Sequence, residues 1–168
     1  MDIEDRGMSG TSYNLNKPIN DWEKDDINKW AINFRNDYKT LRTEKAKHLA
    51  HQETISVIKR AIVLDSIKRN AHRQLRDSQL ISVLLFLNAP SSIIAQISTG
   101  EGKSLIIAVL AIIKVLQGWK VDVITSSTVL AKQGCKDQKS LFDMFKINVD
   151  HNSDDDYKFK GTKRCYKN

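Results

Sequence analysis

Ala95-Gln96-Ile97-Ser98-Thr99-Gly100-Glu101-Gly102-Lys103-Ser104 decides the reading of this chain. Gly100 and Gly102 permit backbone conformations closed to residues that carry Cβ, so successive N–H groups can converge on an anion. Lys103 adds a mobile point charge, and Ser104 adds a hydroxyl at the start of a helix whose N terminus is itself partially positive. This grouping predicts a phosphate loop for a nucleoside triphosphate, ATP with Mg²⁺. Thr99, Gly100, Glu101, Gly102, Lys103 and Ser104 are its expected binding residues, and Ser104 reaches the metal through the nucleotide. The strict pattern G-x-x-x-x-G-K-[ST] is missed at one place, where Ile97 stands for the first glycine. Glu101 is an unusual residue for an anion site, and its side chain is expected to turn away from the phosphates.

Outward from the loop, residues 92–97 carry Ile93, Ile94, Ala95 and Ile97 and predict a buried strand. Residues 105–116 are nearly all apolar and predict a helix buried on most sides, closed by Gln117-Gly118. Val121, Val123 and Ile124 predict a second strand. Ser126-Ser127-Thr128 caps a helix over 129–145, and residues 147–149 predict a third strand. Strand, loop, helix, strand, helix, strand is the alternation of a parallel sheet with flanking helices. The expected fold class is therefore α/β, a partial RecA-like phosphate-loop domain.

An N-terminal helical arm precedes it. Trp22, Ile27, Trp30, Ile32, Phe34 and Tyr38 recur at helical spacing after a candidate N-cap, Asp21. Residues 41–71 continue as one helix or two, with Leu49, Ile55, Val57, Ile58, Ala61, Ile62, Leu64 and Ile67 on the apolar side. Residues 78–87 predict a short helix stopped by Asn88-Ala89-Pro90. The expected division is a disordered leader over 1–20, a helical region over 21–74 and a shortened nucleotide-binding domain over 75–168.

The loop resembles that of the SecA family, the ATPase motors of preprotein translocation, which carry T-G-E-G-K-[TS] after an apolar residue. Ile97 and Glu101 both fit that form. Asp77-Ser78-Gln79-Leu80 is similar to the family's D-x-Q-L segment, which implies that Gln79 reads the adenine edge; an amide offers both the donor and the acceptor this needs. The family's arginine before this glutamine has no match in register, since Arg73 and Arg76 stand near but offset. Thr125 to Gln133 resembles T-x-x-x-x-L-A-[RK], departing where Gly134 replaces an acidic residue. The resemblance covers roughly residues 75–149.

The resemblance implies ATP-driven protein translocation, with preprotein and the membrane translocation machinery as partners. No apolar strand ending in Asp-Glu is found to hold Mg²⁺ and activate water; Asp154-Asp155-Asp156 follows polar residues. The expectation is thus an N-terminal piece of such a motor that binds ATP with little turnover alone. Two other readings stand beside it: a piece of a DEAD-type helicase acting on nucleic acid, and a non-hydrolysing, nucleotide-responsive interaction module.

Composition sets the outer bounds. A net charge of +7 favours anionic partners without naming one. Part of the excess lies in Lys158, Lys160, Lys163, Arg164 and Lys167, a basic tail. Cys135 and Cys165 are far apart and suit free thiols in a reducing compartment. His48 and His51, three residues apart, are too few for a structural zinc site. There is no signal-peptide pattern, and no apolar run approaches the roughly 20 residues that span a bilayer. The expected location is cytoplasmic or organelle-stromal, peripheral to a membrane at most.

Overall fold

The computed structural model describes residues 17–151. The leader before residue 17, the Asp154-Asp155-Asp156 stretch, Cys165 and the basic tail lie outside them. Five helices follow a short 3-10 turn (Ile19–Asp21): α1 (Lys24–Tyr38), α2 (Glu44–Lys68), α3 (Asp77–Asn88), α4 (Lys103–Leu116) and α5 (Thr128–Met144).

Each boundary has a local cause. Thr43 accepts the Ala46 N–H and starts α2, while Ser127 accepts the Leu130 N–H and starts α5. Asp21 is not the cap of α1. It lies in the 3-10 turn, and the cap position falls on Glu23, whose N–H donates to Asp26. Of the one helix or two expected over 41–71, the structure has one, unbroken over residues 44–68. Helices α2, α4 and α5 all end in the same wrap. The N–H groups of Ala71, Trp119 and Ile147 return to the carbonyls of Ser66, Lys114 and Phe142, with Asn70, Gly118 and Lys146 at positive φ.

The core is one cluster that runs from Trp22 to Ile147 and joins the N-terminal helices to the helices around the loop. Helix α4 is its axis and packs on α1, α2, α3 and α5. Val109, Ile112 and Leu116 are fully enclosed, and burial of each large aliphatic side chain contributes roughly 1.5–3 kcal/mol. Trp30 of α1 is also fully buried, its ring 4.7 Å from Phe34 and edge-on to Phe145 at 6.5 Å. Arg60 Nε donates to the Trp22 carbonyl at 2.8 Å and holds the 3-10 turn on α2.

The α/β expectation is overturned. Among the described residues there is no strand and no sheet. Residues 92–97, 120–125 and 147–149 connect or follow helices without ladder pairing. The first was expected to be a buried strand, yet Ile94 is fully exposed, and in the second Ile124 is 94% exposed. A strand is stabilised by a neighbour that takes its N–H and C=O groups. Here the apolar surface of α4, which a sheet was expected to cover, is covered by helices instead.

Candidate functional site

Ser98-Thr99-Gly100-Glu101 closes as a turn, with the Glu101 N–H 3.3 Å from the Ser98 carbonyl. Gly100 occupies its third position at φ +86°, the sign a type II turn demands there. Gly102 follows at φ +77° as the N-cap of α4, and its carbonyl accepts from Leu105 and Ile106. The chain therefore enters α4 through two left-handed residues. The first-turn N–H groups of a helix have no intrahelical acceptor and carry the positive end of its dipole.

Lys103 is exposed and folds back over this loop. Its Nζ lies 3.1 Å from both the Ile97 and the Ser98 carbonyl oxygens. The ammonium is thus poised at the loop's rim, held by neutral acceptors. The position where the strict pattern has glycine contributes a backbone carbonyl, which isoleucine supplies equally well.

Gln79 is 4% exposed and reaches the same place from α3. Its Oε1 accepts the Arg76 N–H at 3.0 Å, and its Nε2 donates to the Glu101 carbonyl at 2.9 Å. One amide thereby closes the N terminus of α3 and ties it to the loop. Each amide atom keeps a second hydrogen-bonding capacity. Gly102 is where the two elements touch: a Cβ there would lie 2.4 Å from Gln79 Nε2.

Arg76 also faces the loop. Its guanidinium stands 3.3 Å from the Glu101 carboxylate. Sequence reasoning set Arg76 aside as out of register with the family's arginine. A usable signal was present: Gln79 stands at the third position of α3, where a glutamine bonds the cap N–H and draws the cap residue beside it.

A cleft of ≈ 870 Å³ opens between the end of α2, the link to α3 and the loop. Arg73, Arg76, Gln79, Gly100, Gly102 and Ser104 lie on its walls. The link is fixed from α2: Ser66 Oγ bonds the Ala71 carbonyl and accepts the Arg73 N–H at 2.8 Å. Buried Asp65 pairs with Arg69 Nε at 2.8 Å and sits 3.8 Å from Arg73. These contacts turn a short, otherwise exposed segment into a fixed wall carrying cations.

The residues of the loop fit a polyphosphate with its cation. Two positive-φ glycines and Ser104, at the exposed N terminus of α4, line one cleft, and the Lys103 ammonium is held on the same loop at the Ile97 and Ser98 carbonyls. Among the described residues no group of three or more His, Cys, Asp or Glu could hold a metal directly. No helix among them is long and apolar enough to cross a membrane.

The geometry defines a glycine-loop domain built on the N terminus of a buried apolar helix. The chain belongs to the SecA DEAD-like domain family, whose model matches residues 6–168. Over 89 residues, 53% of this chain, it is 36% identical to the protein translocase subunit SecA of Blochmanniella pennsylvanica (strain BPEN). That stretch is 9% of the relative's length, so the comparison spans a small part of it. No solved structure matches the chain.

Proposed function

We propose that this chain binds ATP with Mg²⁺ at Thr99, Gly100, Glu101, Gly102, Lys103 and Ser104, as the nucleotide-binding portion of a protein-translocating motor. The observation that carries the reading is Lys103, placed over a loop of two positive-φ glycines at the mouth of α4. On this reading the ammonium exchanges two neutral carbonyls for anionic oxygens, a stronger charge-assisted contact. Backbone N–H groups of the loop orient the phosphates, and the Ser104 hydroxyl faces the cation, which would neutralise phosphate charge. Preprotein and the membrane translocation machinery are the partners the family suggests. Residues 21–74 form the helical arm of this unit and 75–168 its nucleotide-binding part.

Gln79 is proposed to meet the adenine edge with the donor and acceptor that its contacts to Arg76 and Glu101 leave over. Titration with Mg²⁺-ATP beside a Lys103→Ala variant tests the reading. Saturable binding by the parent, weakened at least tenfold in the variant, is the expected result. A folded parent that takes up no nucleotide would sink it. The helicase alternative gains no specific observation.

A further inference from the structure

A carboxylate inside a phosphate loop works against the loop. Close to bound phosphates, a bare Glu101 would weaken a polyphosphate by on the order of tenfold. The structure gives this carboxylate a partner from another element. Arg76, at the N-cap of α3, places its guanidinium 3.3 Å from Glu101 Oε2. The backbone of Glu101 is held from the same turn, because Gln79 Nε2 donates to its carbonyl at 2.9 Å. Gln79 Oε1 in turn takes the Arg76 N–H, so the two α3 residues are locked to each other. The Arg76 guanidinium also comes within 3.9 Å of a Cβ position built on Gly102, which places positive charge at the edge of the loop where α4 begins.

We propose that Arg76 is a positioning residue of the phosphate loop. With Gln79 it clasps the loop to α3 and neutralises Glu101, and this clasp sets the affinity for polyphosphate. The proposal rests on the loop binding phosphate. It explains how a glutamate is tolerated there, and it makes one exposed ion pair the control of a neighbouring site. Arg76 acts here through Glu101 and not by touching the ligand.

The test is a double-mutant cycle on the full chain, with Mg²⁺-ATP and Mg²⁺-tripolyphosphate as probes. Circular dichroism verifies folding, which substitution of these exposed side chains leaves intact. Arg76→Gln is expected to weaken both probes about tenfold, since it uncovers the carboxylate. Glu101→Gln, which removes the carboxylate and leaves the Arg76 charge, is expected to bind about threefold tighter than the parent. The double variant is expected to recover to within about threefold of Glu101→Gln, and Arg76→Lys to retain most of the parent's affinity. A double variant as weak as Arg76→Gln would overturn the proposal and assign Arg76 to the ligand itself. Parent-like binding by Arg76→Gln would overturn it as well. Both results leave the ATP-binding reading intact, whereas failure of the folded parent to bind either probe removes the reading and the proposal together.

Discussion

Gln79 Nε2 occupies the space where a side chain on Gly102 would begin. The two positions lie 2.4 Å apart, closer than any real carbon–nitrogen contact of this kind. Helix α3 and the glycine loop therefore meet through the missing side chain of one residue and the amide of another. Gly102 serves two needs at once: its φ of +77° and this contact.

Gly102→Ala should lower stability by about 2 kcal/mol or more, because a left-handed alanine costs roughly 1–2 kcal/mol and displacement of Gln79 leaves buried groups unpaired at roughly 1–3 kcal/mol. Gly100→Ala is the control. Its φ of +86° carries the backbone cost, but nothing stands within 4 Å of the added Cβ. Chemical denaturation of both variants separates the two effects. Gly102→Ala should be the worse of the pair, and adding Gln79→Ala to it should narrow the gap. Equal losses from the two alanines would show that the contact with Gln79 carries no cost.

The helices could be read in the sequence because their causes are local. The repeat of apolar residues, Ser127 as a cap and Gly118 as a terminator act within a few residues of themselves. The sheet could not be judged that way. Val121, Val123 and Ile124 have strand character, but a strand exists only with a partner, and pairing is not written in the segment. Helices α1 and α2 cover α4 from far away in sequence, and α1 is tied to the end of α5 just as remotely, by Arg35 at the Phe145 carbonyl. The turn into α4 was readable from Gly100 and Gly102, whose positive φ follows from residue type. The partnership of Arg76 with Glu101 was hidden, since the two stand 25 positions apart and only the fold brings them together.

Arg35 supports the junction between α1 and the end of α5. One of its terminal nitrogens donates to the Phe145 carbonyl at 2.7 Å and the Lys146 carbonyl at 3.2 Å. These carbonyls lie at and just past the C-cap of α5, and a cation there also suits the dipole. Burial lowers the guanidinium's pKa from its ordinary value, and its Nε, among the described residues, has no hydrogen-bond partner. The site therefore carries a cost that offsets part of its gain. Arg35→Ala should destabilise the chain by about 1.5–2 kcal/mol, the lower part of the range for charged donors. Hydrogen exchange should quicken first in the last turn of α5. Unchanged exchange there would mean that the contact does not hold the junction.

Trp30 Nε1 donates to Glu53 Oε1 at 2.7 Å beneath the packing of α1 on α2. Burial pushes the Glu53 carboxyl above its ordinary 4.5, and the indole hydrogen bond opposes this only in part. Below 4.5 both folded and unfolded chains hold the proton, and the group adds no pH dependence. As pH rises from there through the folded value, the unfolded chain releases its proton first, so stability falls. Asp26 shifts the other way, chiefly through the Glu23 N–H it accepts, and so does Glu44, through Lys47. The whole-protein profile therefore mixes both signs, and the difference from a variant isolates Glu53. Glu53→Gln keeps an oxygen for Trp30 and removes the charge. Its stability relative to the parent, measured by urea denaturation, should grow between about pH 4 and pH 7. A difference that stays flat over that interval would show that Glu53 ionises as freely in the folded chain as in the unfolded one.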